Sequence, residues 1–158
     1  MEPRKVKNEM KRSALGTPVV EAVEALQPYL LRIRWSDGVT RDVDVTAKLR
    51  AVRMLKPILD PAVFARARVP EWGGGVEWFD TEFGDDNLWS WTVEQAGGIG
   101  HERLWNWMDR HALTQERAAA AIGISRRMLN YYLSGAKPIP LTVWLACVGW
   151  ESQHAKAA

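Results

Sequence analysis

The stretch Leu113–Pro140, LTQERAAAAIGISRRMLNYYLSGAKPIP, decides how the C-terminal third of the chain folds. It reads as two short helices joined by a tight turn. The Thr114 hydroxyl can satisfy an orphan N–H at the first helix start. Ala118, Ala119 and Ile122 share one face at helical spacing, two of them small enough to let a second helix cross closely. Gly123 supplies the backbone freedom of a helix end. Ile124 is an apolar plug, and Ser125 caps the next helix. In that helix Leu129, Tyr132 and Leu133 face inward, which leaves Arg126, Arg127, Asn130, Tyr131 and Ser134 pointing outward. Gly135 stops it, and Pro138 and Pro140 prevent any continuation. The alternative is an ordinary helical hairpin with no DNA role; against it stands the agreement of turn, caps, small residues and exit prolines within one uninterrupted segment.

These residues resemble the Cro/repressor-type (lambda-repressor-like) helix-turn-helix family. The likeness rests on Leu113-Thr-Gln115, Ala119, the Ile122-Gly-Ile124-Ser125 turn, Leu129, Tyr132, Gly135 and the Pro138-Ile-Pro140 exit. It implies an all-α domain whose helix Ser125–Ser134 enters the major groove of double-stranded DNA while the preceding helix crosses the backbone. Arg126 and Arg127 are then placed for guanine, each contact worth ~1–3 kcal/mol of discrimination. Asn130 suits adenine or a phosphate, and Lys137, just past the helix stop, suits a phosphate. Ser125, Tyr131 and Ser134 complete the expected DNA face. In the resembling family the glutamine at the start of the first motif helix contacts the backbone or supports the reading helix, a role that Gln115 inherits. Met128 stands between a thymine-methyl contact and the edge of the core.

Working outward, His101–His111 makes a flanking helix with Leu104, Trp107 and Met108 on one face. A terminal helix over Leu141–Val148 is expected to close the core with Leu141, Val143, Trp144, Leu145 and Val148.

Upstream, the period changes to that of strands. Val19–Leu26 suits a peripheral strand. Tyr29, Leu31, Ile33 and Trp35 alternate with Leu30, Arg32 and Arg34, and after Ser36-Asp37-Gly38 Val39, Val43 and Val45 alternate with Thr40, Asp42 and Asp44. A two-residue Asp-Gly loop would put the two apolar rows on opposite faces. A three-residue loop with Gly38 left-handed pairs Trp35 with Val39, Leu31 with Val43 and Tyr29 with Val45, giving one apolar face. On the polar face Asp42 and Asp44 lie near Arg32 and Arg34. Cross-strand ion pairing accounts for them better than acid–base or metal chemistry, since no histidine or third carboxylate accompanies them. Residues 47–57 are loosely helical. Asp60-Pro61 opens a helix over Pro61–Ala67. Gly73-Gly74-Gly75 lacks the Gly-Lys-Ser/Thr of a phosphate loop and reads as a flexible turn. Val76–Trp78 is a strand, Phe79–Asp86 an acidic loop, and Asn87–Trp91 an ending.

The Trp35-Ser-Asp-Gly38 hairpin, Asp42–Val45, Leu59-Asp-Pro-Ala-Val-Phe64, Val76-Glu-Trp78 and Gly84-Asp85 together resemble a small uncharacterised bacterial α+β domain family. That family occurs beside helix-turn-helix motifs, and it implies a compact unit without assigned chemistry. The loop after Trp78 is longer here than the family pattern.

The expected fold is therefore an α+β N-terminal domain, a small antiparallel sheet with a short helix, followed by an all-α lambda-repressor-like domain. The expected boundaries are a mobile basic tail at 1–16, the α+β domain at 17–95, a Gly-rich linker at 96–100, the helix-turn-helix domain at 101–151 and a frayed tail at 152–158. Charge follows this division. Residues 1–13 hold five basic against two acidic residues, net +3; residues 14–100 nine against thirteen, net −4; residues 101–158 seven against four, net +3. Nucleic acid suits the ends and not the middle.

The expected function is a sequence-specific DNA-binding transcriptional regulator, a repressor, that reads a short palindromic site as a homodimer. Nine tryptophans in 158 residues offer more apolar surface than two small cores bury, so the N-terminal domain is expected to dimerise or bind a protein or small ligand. The alternative is an antitoxin-like or adaptor protein working through that domain. No catalytic constellation is expected: His101, His111 and His154 are scattered. One cysteine, Cys147, and no Cys/His cluster predict neither a metal site nor a cofactor. With no long apolar run, the chain is expected in the cytoplasm, away from membranes.

Overall fold

Alternating apolar residues build the first sheet. In the computed structural model, which describes Ser13 and residues 16–155, three antiparallel strands run in the order β1-β2-β3: β1 Val20–Leu26, β2 Leu30–Trp35 and β3 Thr40–Asp44. The register is that of the three-residue loop. Leu31 faces Val43, the Trp35 amide donates to the Val39 carbonyl at 3.1 Å, and Gly38 sits at φ 83°. Leu31, Ile33, Trp35, Val43 and Val45 are fully buried, but Val39 is exposed and Arg41 takes its turn in the apolar row. Arg41 is held there by Asp37 at 2.9 Å and lies over the Trp89 ring at 5.0 Å. On the outer face Arg32 forks onto Asp42 at 2.9 and 3.0 Å. Arg34 does not meet Asp44. It reaches Glu21 at 3.6 Å, because β1 flanks it on the other side, and the Asp44 carboxylate instead accepts from the Thr46 amide.

Helix α1 (Thr46–Ala51), a 3-10 segment (Arg53–Leu59) and α2 (Pro61–Phe64) follow. Asp60 caps α2 by accepting from the Ala62 amide at 2.9 Å, with Pro61 in the first turn. The helix stops short of Ala67 because Arg68 is drawn into a backbone bridge with Glu77.

The stretch Phe79–Asp86 is not a loop. It contains strand β5 (Thr81–Gly84), paired antiparallel with β4 (Gly75–Trp78), and the start of helix α3 (Asp85–Gln95). Phe79 and Asp80 form the tight turn, with Phe79 at φ 53°, a conformation its residue type does not announce. The glycine run is equally specific. A Cβ on Gly75 would lie 1.9 Å from the Phe83 carbonyl oxygen, so close backbone approach demands the third glycine. Asp85 and Asp86 favour the amino end of α3, and the Asp85 carboxylate also accepts from the Val20 amide at 2.8 Å. Burial pushes that carboxyl above its ordinary value.

Helices α4 (His101–Arg110), α5 (Gln115–Ile122), α6 (Arg126–Leu133) and α7 (Leu141–His154) enclose a second core of Leu104, Trp107, Ala118, Leu129, Leu133 and Cys147. It is separate from the first, which gathers Trp35, Phe64, Trp78 and Leu88. The Gly-rich connection at 96–100 is short and braced. Glu94 accepts from the Gly100 amide and pairs with Arg103, while Asn87 and Trp91 donate to Glu102 at 2.6 and 3.0 Å. A Cβ on Gly100 would meet Ser90 Oγ at 2.2 Å. Helices α3 and α4 are thus latched rather than loosely tethered.

Helix α7 departs from expectation twice. It continues through Ser152 to His154, whose ring stacks on Trp150 at 4.1 Å. It also closes the core with Val143 and Cys147, leaving Leu141, Leu145 and Val148 at 64, 54 and 43% exposure. Apart from Ser13 and Gly16, the expected basic tail at 1–16 lies outside the described residues, as does the end at 156–158. Among the described residues, no helix is long and apolar enough to cross a membrane.

Candidate nucleic-acid interface

Two short helices become a reading device only if something fixes the second against the first. The Thr114 hydroxyl accepts from the Arg117 amide at 3.2 Å, and Gly123 turns the chain left-handed at φ 72°. Ser125 Oγ then accepts from the Met128 amide at 3.1 Å, starting α6. Leu129, Tyr132 and Leu133 are buried, which fixes the rotation of α6 and sends Arg126, Arg127 and Asn130 to solvent. Met128 and Tyr131 are half-buried at the flanks.

Arg127, Tyr131 and Lys137 are brought together. Arg127 Nε donates to the Tyr131 hydroxyl at 3.2 Å, and Lys137 Nζ lies 4.4 Å from the Tyr131 ring centre. The hydrogen bond from Arg127, and then its charge, hold the phenol below its ordinary pKa. Ser134 Oγ turns inward, donating to the Tyr131 carbonyl and accepting from the Ala136 amide. Gln115 is the first residue of α5 and half-buried, beside the exposed cap at Thr114. Arg126 stands free of any carboxylate among the described residues. Helix α6 has no acidic residue, so two guanidiniums and a lysine ammonium present an anion-seeking surface.

Two supports were not evident in the sequence. The Trp105 indole donates to the Leu133 carbonyl at 2.9 Å and holds the end of α6. A tryptophan at the edge of an amphipathic face, with one polar atom to satisfy, was the available signal. Gly135, at φ 70°, lets the turn after α6 press against the first half of the chain. A Cβ there would lie 2.6 Å from Thr17 Cγ2 and 3.1 Å from His101 Nδ1.

The histidines do not converge. His101 is buried, His111 meets Glu151 at 2.8 Å, and His154 Nδ1 meets the Trp150 carbonyl at 2.8 Å. Among the described residues no three His, Cys, Asp or Glu side chains are grouped to hold a metal ion.

The whole chain is similar to a solved structure, that of "Putative DNA Binding Protein NE0471" from Nitrosomonas europaea ATCC 19718. The two are 51% identical, the match covers 94% of each chain, and the TM-score is 0.78. The chain belongs to that protein's family. No protein-family model and no curated protein matches it. The match spans both the sheets and the α4–α7 helices.

Proposed function

We propose that the chain is a sequence-specific DNA-binding transcriptional regulator, a repressor, and not an enzyme. It reads double-stranded DNA with α6 and has the cytoplasm as its place of work. One observation carries this: Arg126, Arg127 and Asn130 stand exposed on α6, which Ser125 caps and Leu129, Tyr132 and Leu133 seat in the core. The words DNA binding in the relative's name support it. Arg126 and Arg127 supply bidentate donors to guanine, and Asn130 suits adenine. Lys137 and the Tyr131 hydroxyl suit phosphates on one flank, with Gln115 and Ser125 at the amino-terminal side.

Such a domain covers few base pairs, so we assign it a homodimer on a two-fold site. The stripe Leu141, Leu145 and Val148 recurs at i, i+4 and i+7 on α7 and is the better candidate for the dimer contact. The N-terminal half has less to offer, since Trp35 and Trp78 are buried and Trp89 and Trp91 pack on its core. Trp72, 92% exposed beside Gly73 and Gly74, favours a second reading in which that half also docks a protein partner, as in an adaptor or antitoxin.

Fluorescence anisotropy on random-sequence and selected duplexes tests the assignment. Wild-type binding is expected to fall steeply with salt, and Arg126→Ala with Arg127→Ala to cost ~2–6 kcal/mol on the selected site. Binding that ignores salt and survives both changes contradicts it.

A further inference from the structure

Between the first sheet and the α4–α7 helices lies a cavity of about 230 Å³, walled by Trp89, Val93, Ile99, Tyr132 and Ile139. Its polar groups are few. Asp37 is already occupied by Arg41 and by the Val39 amide. Lys137, by contrast, has no carboxylate within ion-pair distance among the described residues and stands at the rim. The decisive group is His101. Its side chain lines the cavity at 4% exposure, yet it makes no hydrogen bond to any described residue. Neither ring nitrogen is sealed off, so the unpartnered imidazole can donate to or accept from a molecule in the open space beside it. Helix α4 begins at the same wall, but Glu94 and Ser90 already take its Gly100 and Glu102 amides, so Lys137 is the charge that selects an anion.

We infer that this cavity is a binding site for a small aromatic carboxylate, its ring against the apolar walls and its carboxylate toward His101 and Lys137. The volume, below the ~300–1,000 Å³ typical of sites for drug-sized molecules, fits one ring or a fused pair. An amine would face the Lys137 ammonium. A phosphate would bring more charge than so apolar a lining compensates. Burial holds the imidazole below its ordinary pKa, so near neutral pH it offers one N–H and one lone pair.

The test is titration calorimetry of the full chain, without DNA, so that it stands or falls apart from the DNA assignment. The probes are benzoate and indole-3-carboxylate, with indole as the neutral counterpart. At least one acid is expected to bind one-to-one and more tightly than indole. His101→Phe should weaken the acid at least tenfold. Lys137→Gln, on the exposed rim where folding is not at stake, should bring acid and indole to similar affinity. Absence of binding by both acids at millimolar concentration overturns the inference. So does tighter binding of indole, or acid binding indifferent to Lys137→Gln.

Discussion

Helices α6 and α7 each turn one face to solvent, and the two faces could hardly differ more. The α6 face carries Arg126, Arg127 and Asn130. The α7 face carries Leu141, Leu145 and Val148. Both helices bury their other side in the same core, through Leu129 and Leu133 in one case and Val143 and Cys147 in the other. Packing explains the buried sides. It does not explain why one exposed side is cationic and the next apolar. Exposed guanidiniums cost little in water and gain most against a polyanion, whereas an exposed aliphatic stripe gains only by meeting another apolar surface. This contrast is the ground on which we propose DNA for α6 and a second copy of the chain for α7.

Breaking the α7 side should have the largest effect. Leu145→Asp puts a charge in the middle of the stripe. It is expected to leave the fold intact, give a one-chain mass by light scattering, and weaken binding to a two-fold site by on the order of 100-fold while sparing a half-site. A dimer that persists would move the contact elsewhere.

Next come changes that disturb the seat of α6 without touching either face. Gly135→Ala forces an L side chain into a positive φ and against Thr17 and His101. A loss of about 2 kcal/mol of stability is expected in chemical denaturation. Trp105→Phe removes the donor to the Leu133 carbonyl. It should cost ~1 kcal/mol of stability and loosen the end of α6, seen as faster amide exchange there.

The smallest expected effect is on pH. His101 has its folded pKa held down by burial, partly offset by Glu102 and then Asp86. The unfolded chain therefore takes up this proton first as pH falls. Its contribution to stability is present above about pH 6.5 and is lost on acidification until the folded imidazole also titrates. The melting temperature should drop less between pH 7.5 and 5.5 in His101→Phe than in wild type.

How much of this was legible in the sequence differs between the halves for a physical reason. The caps at Thr114 and Ser125, the left-handed Gly123 and the inward triplet of α6 are local, set by residues within a few positions of one another. The Trp35–Val39 register was legible for the same reason. The β4–β5 hairpin was not, because its turn uses Phe79-Asp80 in place of a glycine-bearing pair. The role of Gly75 depends on the Phe83 carbonyl, which comes close only once that hairpin forms. Helix α3 shows no single apolar stripe: Trp89 packs on Trp35 and Trp91, two residues on, packs on Phe83. The α7 stripe cannot be told from the core in the sequence, because a helix apolar on several faces does not say which face is covered. The brace between α3 and α4 depends on pairing that no local pattern encodes.

Selection of bound duplexes from a random pool by the full chain tests α6 as the reading helix most directly. The account predicts enrichment of a short palindrome, and loss of preference at a specific guanine in each half when selection is repeated with Arg126→Ala or Arg127→Ala. An unenriched pool, or the same palindrome recovered by the variant lacking both arginines, would contradict it.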